Sequence, residues 1–252
     1  MKILLTNDDG FDAPGITAME EALSVEHEVY IVAPDNERSG SSNAFTIKEP
    51  VILTNRGERR FSLNGYPTDC TNVGIKAGII PKVDCVVSGI NHGANVGDDI
   101  FFSGTVGAAR MAYISGYSGI AVSFASMDSA SPYLRDAASF VVSFIKDFLF
   151  PSDTLRLFSI NYPNLPFDKI KGMRYAPLAK RHYGESFTAV PLPDGRTSLR
   201  LVGEIGGLSS TKSEYETDAD LVRLGYITVT PLLTDCCDYK YIELHAKEKQ
   251  NA

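Results

Sequence analysis

The chain has 252 residues, enough for one large domain with a sizeable core, and its 44% apolar and 22% charged residues form an ordinary globular balance. The formal net charge of −7 argues against a nucleic-acid polymer or an anionic membrane as the main partner, since either would favour a basic face. A small phosphorylated ligand is not excluded, because a bound cation inverts the local charge.

The opening MKILLTNDDG contains one short apolar run, a strand over residues 2–6, and then turns acidic. That is not the pattern of a signal peptide, and no run is long enough to span a membrane. Together with four cysteines (Cys70, Cys85, Cys236 and Cys237) read as reduced thiols, it predicts a cytoplasmic protein. Asn7-Asp8-Asp9-Gly10 follows the strand, and Pro14-Gly15 introduces a helix over 16–23. A second strand over 28–33 leads to Arg38-Ser39-Gly40-Ser41-Ser42-Asn43. Segments 50–54 and 60–63 flank Asn-Arg-Gly and read as a hairpin. Asp69, after Pro-Thr, reads as the cap of the next helix. The third strand, 84–88, runs into a polar stretch from Ser88 through Asn91 and Asn95 to Asp99, and Ser103-Gly104-Thr105 opens an Ala-rich helix over 105–114. A strand over 119–124 follows, then a helix over 132–148 with Phe140, Phe144 and Phe148 one turn apart, and a strand over 155–160.

Near-continuous apolar strands alternating with helices predict an α/β fold: a mostly parallel sheet flanked by helices, with right-handed crossovers. Past residue 171 short strands over 174–176, 198–202 and 226–231 stand among Gly- and Pro-rich loops before a charged tail. The expected organisation is a single domain over 1–252: a catalytic core to about residue 170 and a β-rich C-terminal arm and tail over 171–252.

In an open α/β sheet, ligands bind beyond the carboxyl ends of the strands. Three polar clusters fall just after predicted strands. Asp8 and Asp9 repel one another unless a cation neutralises them, and carboxylate oxygen suits magnesium, manganese or calcium. Read alone, the same residues make an Asp-Gly turn or a helix start. The small residues of 38–43 let backbone N–H groups converge on an anion, or form a plain loop. Asn91 and Asn95 offer amide oxygens to a metal and amide protons to a phosphate. Ser103-Gly104-Thr105 is an anion site at a helix N-terminus, or an ordinary cap. All three clusters should meet at one sheet edge, where oxygen ligands beside anion donors suit a metal ion holding a phosphate ester.

The motifs NDDG with APGI (7–10 and 13–16), APDNERSGSSN (33–43), GYPTDC (65–70), SGINHGANVGDDIFFSGTVGAA (88–109) and GYITVTPL (225–232) resemble, in order, the SurE-type 5′-nucleotidase pattern. The resemblance implies a Rossmann-like core and a C-terminal part used to build a homodimer or homotetramer. It implies that Asp8, Asp9, Ser39 and Asn91 hold one divalent metal, Mg2+ or Mn2+, with Ca2+ as a crystal substitute. It implies that Asn43, Asn95, Ser103, Gly104 and Thr105 line the phosphate pocket, to which the anion-binding reading of the 38–43 loop adds Gly40 and Ser41. The substrates it implies are nucleoside monophosphates, as 5′- and also 3′-nucleotides, and short polyphosphate. Either Asp8 or Asp9 would then take the proton of the attacking water. Residues 173–207 match the pattern only loosely.

Other residues carry plainer expectations. His92 reads as a surface loop residue, Asp98 and Asp99 as a solvated turn, and the phenylalanines of 132–148 as core. Tyr183 and Phe187 are the candidates to touch a base or a neighbouring subunit. A phospho-receiver module would need an Asp after the third strand, where Ser88-Gly89-Ile90-Asn91 stands. A dinucleotide oxidoreductase would need G-x-G-x-x-G at the first turn, which reads Asn-Asp-Asp-Gly.

Overall fold

A computed structural model of the chain describes residues 1–149, 154–181, 186–202, 208–209 and 215–249. In chain order β1 (Lys2–Thr6) leads through α1 (Pro14–Leu23) to β2 (Glu28–Pro34), and β3 (Leu53–Gly57) and β4 (Arg60–Leu63) form a hairpin. Helix α2 (Pro67–Lys76) leads to β5 (Cys85–His92), α3 (Gly104–Ile114) to β6 (Ser118–Ala125), and α4 (Leu134–Phe144) to β7 (Leu157–Pro163). Then come β8 (Met173–Tyr175), β9 (Lys180–Arg181), β10 (Ser186–Pro191), β11 (Thr197–Val202), β12 (Leu208–Ser209), α5 (Asp218–Arg223), β13 (Ile227–Pro231) and α6 (Tyr239–Lys249).

The main sheet runs β3-β4-β2-β1-β5-β6-β7-β13-β8. Strands β4, β2, β1, β5, β6 and β7 are parallel, while β3 pairs antiparallel with β4 and β13 with β7. The chain moves outward from β1 through β2 to β4 and then returns to the other side of β1 as β5. The order therefore reverses between β1 and β5, and a crevice opens there beyond the strand ends.

The continuous apolar strands follow from helices on both faces. In β1, Ile3 and Leu5 belong to a large core cluster with Ile16 and Met19 of α1 and Val141 of α4, while Leu4 belongs to a second cluster with Cys70 of α2 and Ala112 of α3. Each such buried aliphatic side chain contributes about 1.5–3 kcal/mol. Phe144 is buried and meets Phe158 edge-on at 5.3 Å between ring centroids, as core residues should. Among the described residues no helix is long and apolar enough to cross a membrane. Cys70 and Cys85 are buried free thiols, and Cys236 and Cys237 exposed ones.

Several boundaries differ from the sequence reading. The hairpin turns at Glu58-Arg59, where Arg59 takes φ +59°, and not at Asn-Arg-Gly; its first strand is therefore β3. Strand β7 runs on to Pro163 because β6 pairs with it that far. Helix α4 ends at Phe144 and passes into a wider π-type turn over Ile145–Leu149. The sheet also takes in β8 and β13, which lie beyond residue 170. Strands β10 and β11 form a separate antiparallel hairpin on which Phe187 stands exposed. Tyr183 and the side chain of Phe148 lie outside the described residues.

Candidate active site

The site begins with the turn after β1. Asn7 donates from Nδ2 to the Gly10 carbonyl at 2.8 Å, and Gly10 takes φ +106°, a conformation favourable to glycine. This turn holds Asp8 and Asp9 at the carboxyl end of the strand. Asp8 is 3% exposed and accepts hydrogen bonds from both the backbone N–H and the hydroxyl of Thr105, at the start of α3. Its own carbonyl accepts from Arg38 N–H at 2.7 Å, which ties the 38–43 loop to the acid turn. Burial raises the Asp8 carboxyl to about 6, with Thr105 opposing and Asp9 adding to the rise.

Asp9 faces His92. Its Oδ2 lies 3.3 Å from His92 Nδ1 and accepts the His92 backbone N–H at 3.2 Å. The Asp9 carboxylate raises the histidine above its ordinary value, although burial opposes this. His92 is thus not the surface loop residue expected. Strand β5 continues past Ser88, through an irregularity in its pairing, as far as His92. Its imidazole is therefore packed at the sheet end, with Nε2 buried and without a partner among the described residues.

Asn91 commits its amide nitrogen to the carbonyls of His92 and Gly93, at 3.2 and 2.8 Å, so that Oδ1 is the side-chain atom it could offer to a cation. Asn95 is held by residues that sequence reasoning missed. Its backbone N–H donates to Asn161 Oδ1 at 2.8 Å, its carbonyl accepts from Asn161 Nδ2 at 3.0 Å, and its side-chain Nδ2 donates to Ser123 Oγ at 2.8 Å. The signal was present in the sequence, since Asn161 immediately follows a predicted strand of the same sheet.

Asp8, Ser39, Gly40, Asn91, Asn95 and Ser103 line one cleft of about 670 Å³. Asp9, Ser39 and His92 line an adjoining cleft of about 450 Å³. Ser41 and Gly104 come against Asp8: a Cβ on Gly104 would lie 2.5 Å from Ser41 Oγ and 3.0 Å from Asp8 Oδ2. Only glycine lets helix, serine loop and acid turn approach this closely.

Thr105 and Asn43 stand differently from the phosphate-pocket expectation, and Ser103 has a second role besides lining the cleft. Thr105 serves Asp8, because a buried carboxylate is itself an anion at a helix N-terminus. Ser103 caps α3, accepting Val106 N–H at 3.1 Å. Asn43 lies in another cleft, of about 730 Å³, where its Oδ1 accepts from Arg110 Nη1 at 2.7 Å. Ser39, at the cleft rim, donates to Glu37 at 2.8 Å. Asp69 caps α2 through Tyr66 N–H at 2.9 Å, as expected, and also grips Thr46 through its N–H at 2.9 Å and hydroxyl at 2.7 Å, fixing the far end of the serine loop.

The profile of the family described as Survival protein SurE matches residues 3–185. The chain is 37% identical over 248 residues to the 5′-nucleotidase SurE of Aeromonas hydrophila subsp. hydrophila, covering 95% of this chain and 94% of that one. It is 40% identical over 244 residues to the 5′-nucleotidase SurE of Desulfitobacterium hafniense, covering 95% and 93%. The crystal structure of the SurE protein from Aquifex aeolicus superimposes with a TM-score of 0.81 at 33% identity, covering 96% of this chain and 97% of that one. With the family profile spanning residues 3–185 and relatives 37% and 40% identical over 95% of the chain, the chain belongs to the SurE family.

Proposed function

We propose that this chain is a divalent-metal-dependent phosphatase that hydrolyses nucleoside monophosphates to nucleoside and phosphate. The observation that carries the reading is the meeting of Asp8 and Asp9 with Asn91 at the point where the sheet order reverses, beside the serine loop and the start of α3. The name 5′-nucleotidase borne by the relatives supports it.

The residues present fit a hard cation. The donors would be Asp8, Asp9, the Asn91 amide oxygen and the Ser39 hydroxyl, an all-oxygen set suited to magnesium or manganese, with calcium also accommodated. Among the described residues no group of three or more His, Cys, Asp and Glu gathers, so neutral oxygens must complete the set. Two features fit a cation there: Asp8 is raised by burial with Asp9 adding to the rise, and Asn7 Oδ1 and Ser41 Oγ are buried with no hydrogen-bond partner among the described residues. Such a cation supplies charge against the phosphoryl oxygens and activates water for attack.

The chain's own residues do the rest. The Asp8/Asp9 pair receives the proton of the attacking water. Gly40, Ser41, Asn95, Ser103 and Gly104 surround the phosphoryl group and stabilise its developing charge. Thr105 orients Asp8, and Asn43, held by Arg110, braces the serine loop from behind. We extend the reading to 3′-nucleotides and short polyphosphate as substrates and to a cytoplasmic location consistent with four free thiols. It extends also to a homodimer or homotetramer, supported by exposed Phe187, Val190 and Leu199 on the β10–β11 hairpin and Ile242 and Leu244 on α6. A monomer by light scattering would refute that assembly.

The test is phosphate release from a panel of 5′- and 3′-nucleoside monophosphates and short polyphosphate with magnesium, manganese or calcium. Activity should vanish with chelator, and the double change Asp8→Asn, Asp9→Asn should lower it by roughly a thousandfold or more. Near-normal turnover by that double variant would overturn the site.

A further inference from the structure

Asp218 lies far from the acid pair in sequence, yet it touches the loop that carries part of the cleft. Its carboxylate is completely buried, and the groups acting on it among the described residues are backbone N–H donors and Asp99, with no basic side chain. Such a group survives only if hydrogen bonds replace its water. Its Oδ2 accepts Gly97 N–H at 2.8 Å, and its Oδ1 accepts Ala179 N–H and Ala219 N–H, each at 2.8 Å. Its own N–H donates to the Pro177 carbonyl at 2.9 Å. One side chain therefore joins three backbone segments: the start of α5, the stretch before β9, and the turn at Gly97.

That junction is tight. Gly97 takes φ +58°, and a Cβ there would lie 2.5 Å from the Ala179 carbonyl oxygen. Val96, Ala179 and Ala219 form a small apolar cluster around it, and Lys180 meets Asp98 at 3.0 Å on its outer side. Asn95 stands two residues before Gly97, and Ser103 six after it. Asn161 and Ser123 fix Asn95 from the sheet. Asp218 fixes the segment's next backbone position from the C-terminal side.

We propose that Asp218 is a positioning residue for phosphate-ester hydrolysis: its carboxylate sets the backbone of the 95–103 loop, and through it the placement of Asn95 and Ser103 against the phosphoryl group. The proposal rests on the phosphatase reading above. It gives the chain beyond residue 170 a part in building the site as well as in assembly. A neutral side chain would hold α5 in place more cheaply, since a buried charge left without an opposite charge lowers stability. What the carboxylate adds is two oxygens able to accept all three N–H groups at once.

The test is Asp218→Asn, which keeps the shape and turns one acceptor oxygen into a donor. Manganese affinity of the full chain, read by calorimetry, should stay within about twofold of wild type, because the acid pair belongs to β1. The affinity for inorganic phosphate, measured with manganese present, should fall about tenfold, and kcat on AMP with it, the scale of effect that misplaced binding groups produce. Metal and phosphate affinity falling together in a variant that still folds would mean a merely structural role and overturn the proposal. So would unchanged phosphate affinity in a folded variant. If Asp218→Asn does not fold, Gly97→Ala disturbs the same junction from the loop side and must show the same selective loss; wild-type phosphate binding there overturns the proposal. A wild-type protein that binds manganese but neither binds phosphate nor hydrolyses AMP refutes the phosphatase reading, a result distinct from these.

Discussion

Asp8 is a carboxylate placed where water barely reaches it, next to a second carboxylate, and the hydrogen bonds of Thr105 offset part of the cost. Without a cation the sign of its effect on stability is fixed. Its folded value of about 6 lies above the ordinary 3.8, so the folded state favours the neutral acid. The stabilisation that neutral Asp8 brings is fully present below about pH 4 and is lost as pH rises through about 6. A rise of about two units corresponds to roughly 3 kcal/mol at most. Chelator-treated Asp8→Asn should therefore resist urea better than chelator-treated wild type near pH 8, by about 1–3 kcal/mol, with the gain vanishing near pH 4. A variant less stable than wild type near pH 8 contradicts this account of Asp8. The pair Asp8-Asp9 was legible in the sequence because two adjacent acids at a strand end need an explanation. The place of His92 was not: residue type alone does not reveal that β5 extends to it and packs its ring against Asp9.

At the scale of elements, the strands were legible wherever helices cover both faces, since such strands must be apolar throughout. Ile3, Leu4 and Leu5 show this directly, with neighbours on opposite faces of the sheet. The hairpin boundary was less legible, because Arg59 takes a left-handed conformation that its residue type does not advertise. The start of α3 was legible as a site and not as an arrangement. Ser103, Gly104 and Thr105 divide the work: Ser103 caps the helix, Thr105 serves Asp8, and Gly104 makes the close approach. Gly104→Ala tests that division. Its Cβ would push against Ser41 Oγ and the Asp8 carboxylate, so turnover of AMP by the folded variant should fall by on the order of a hundredfold. Unimpaired turnover would show that the serine loop and the helix need not meet there.

Across the whole molecule, sheet order explains why distant motifs converge. The reversal between β1 and β5 brings residues near 8 and 91 together, and the parallel strands beyond add Asn161 from β7 to support Asn95. Such pairings depend on topology, so a reading along the chain finds the polar residues without their partners. The same limit hid Asp218, whose contacts at Gly97 cross 121 positions. A net charge of −7 makes a cation at the centre the simplest way for this fold to hold a phosphate ester. Phosphorus NMR of AMP with the manganese-loaded protein tests that claim most directly. Manganese held by the acid turn against the phosphate should strongly broaden the phosphorus resonance with wild type, and the double change Asp8→Asn, Asp9→Asn should abolish the protein-dependent broadening. Equal protein-dependent broadening with both proteins would place the cation elsewhere and contradict the account.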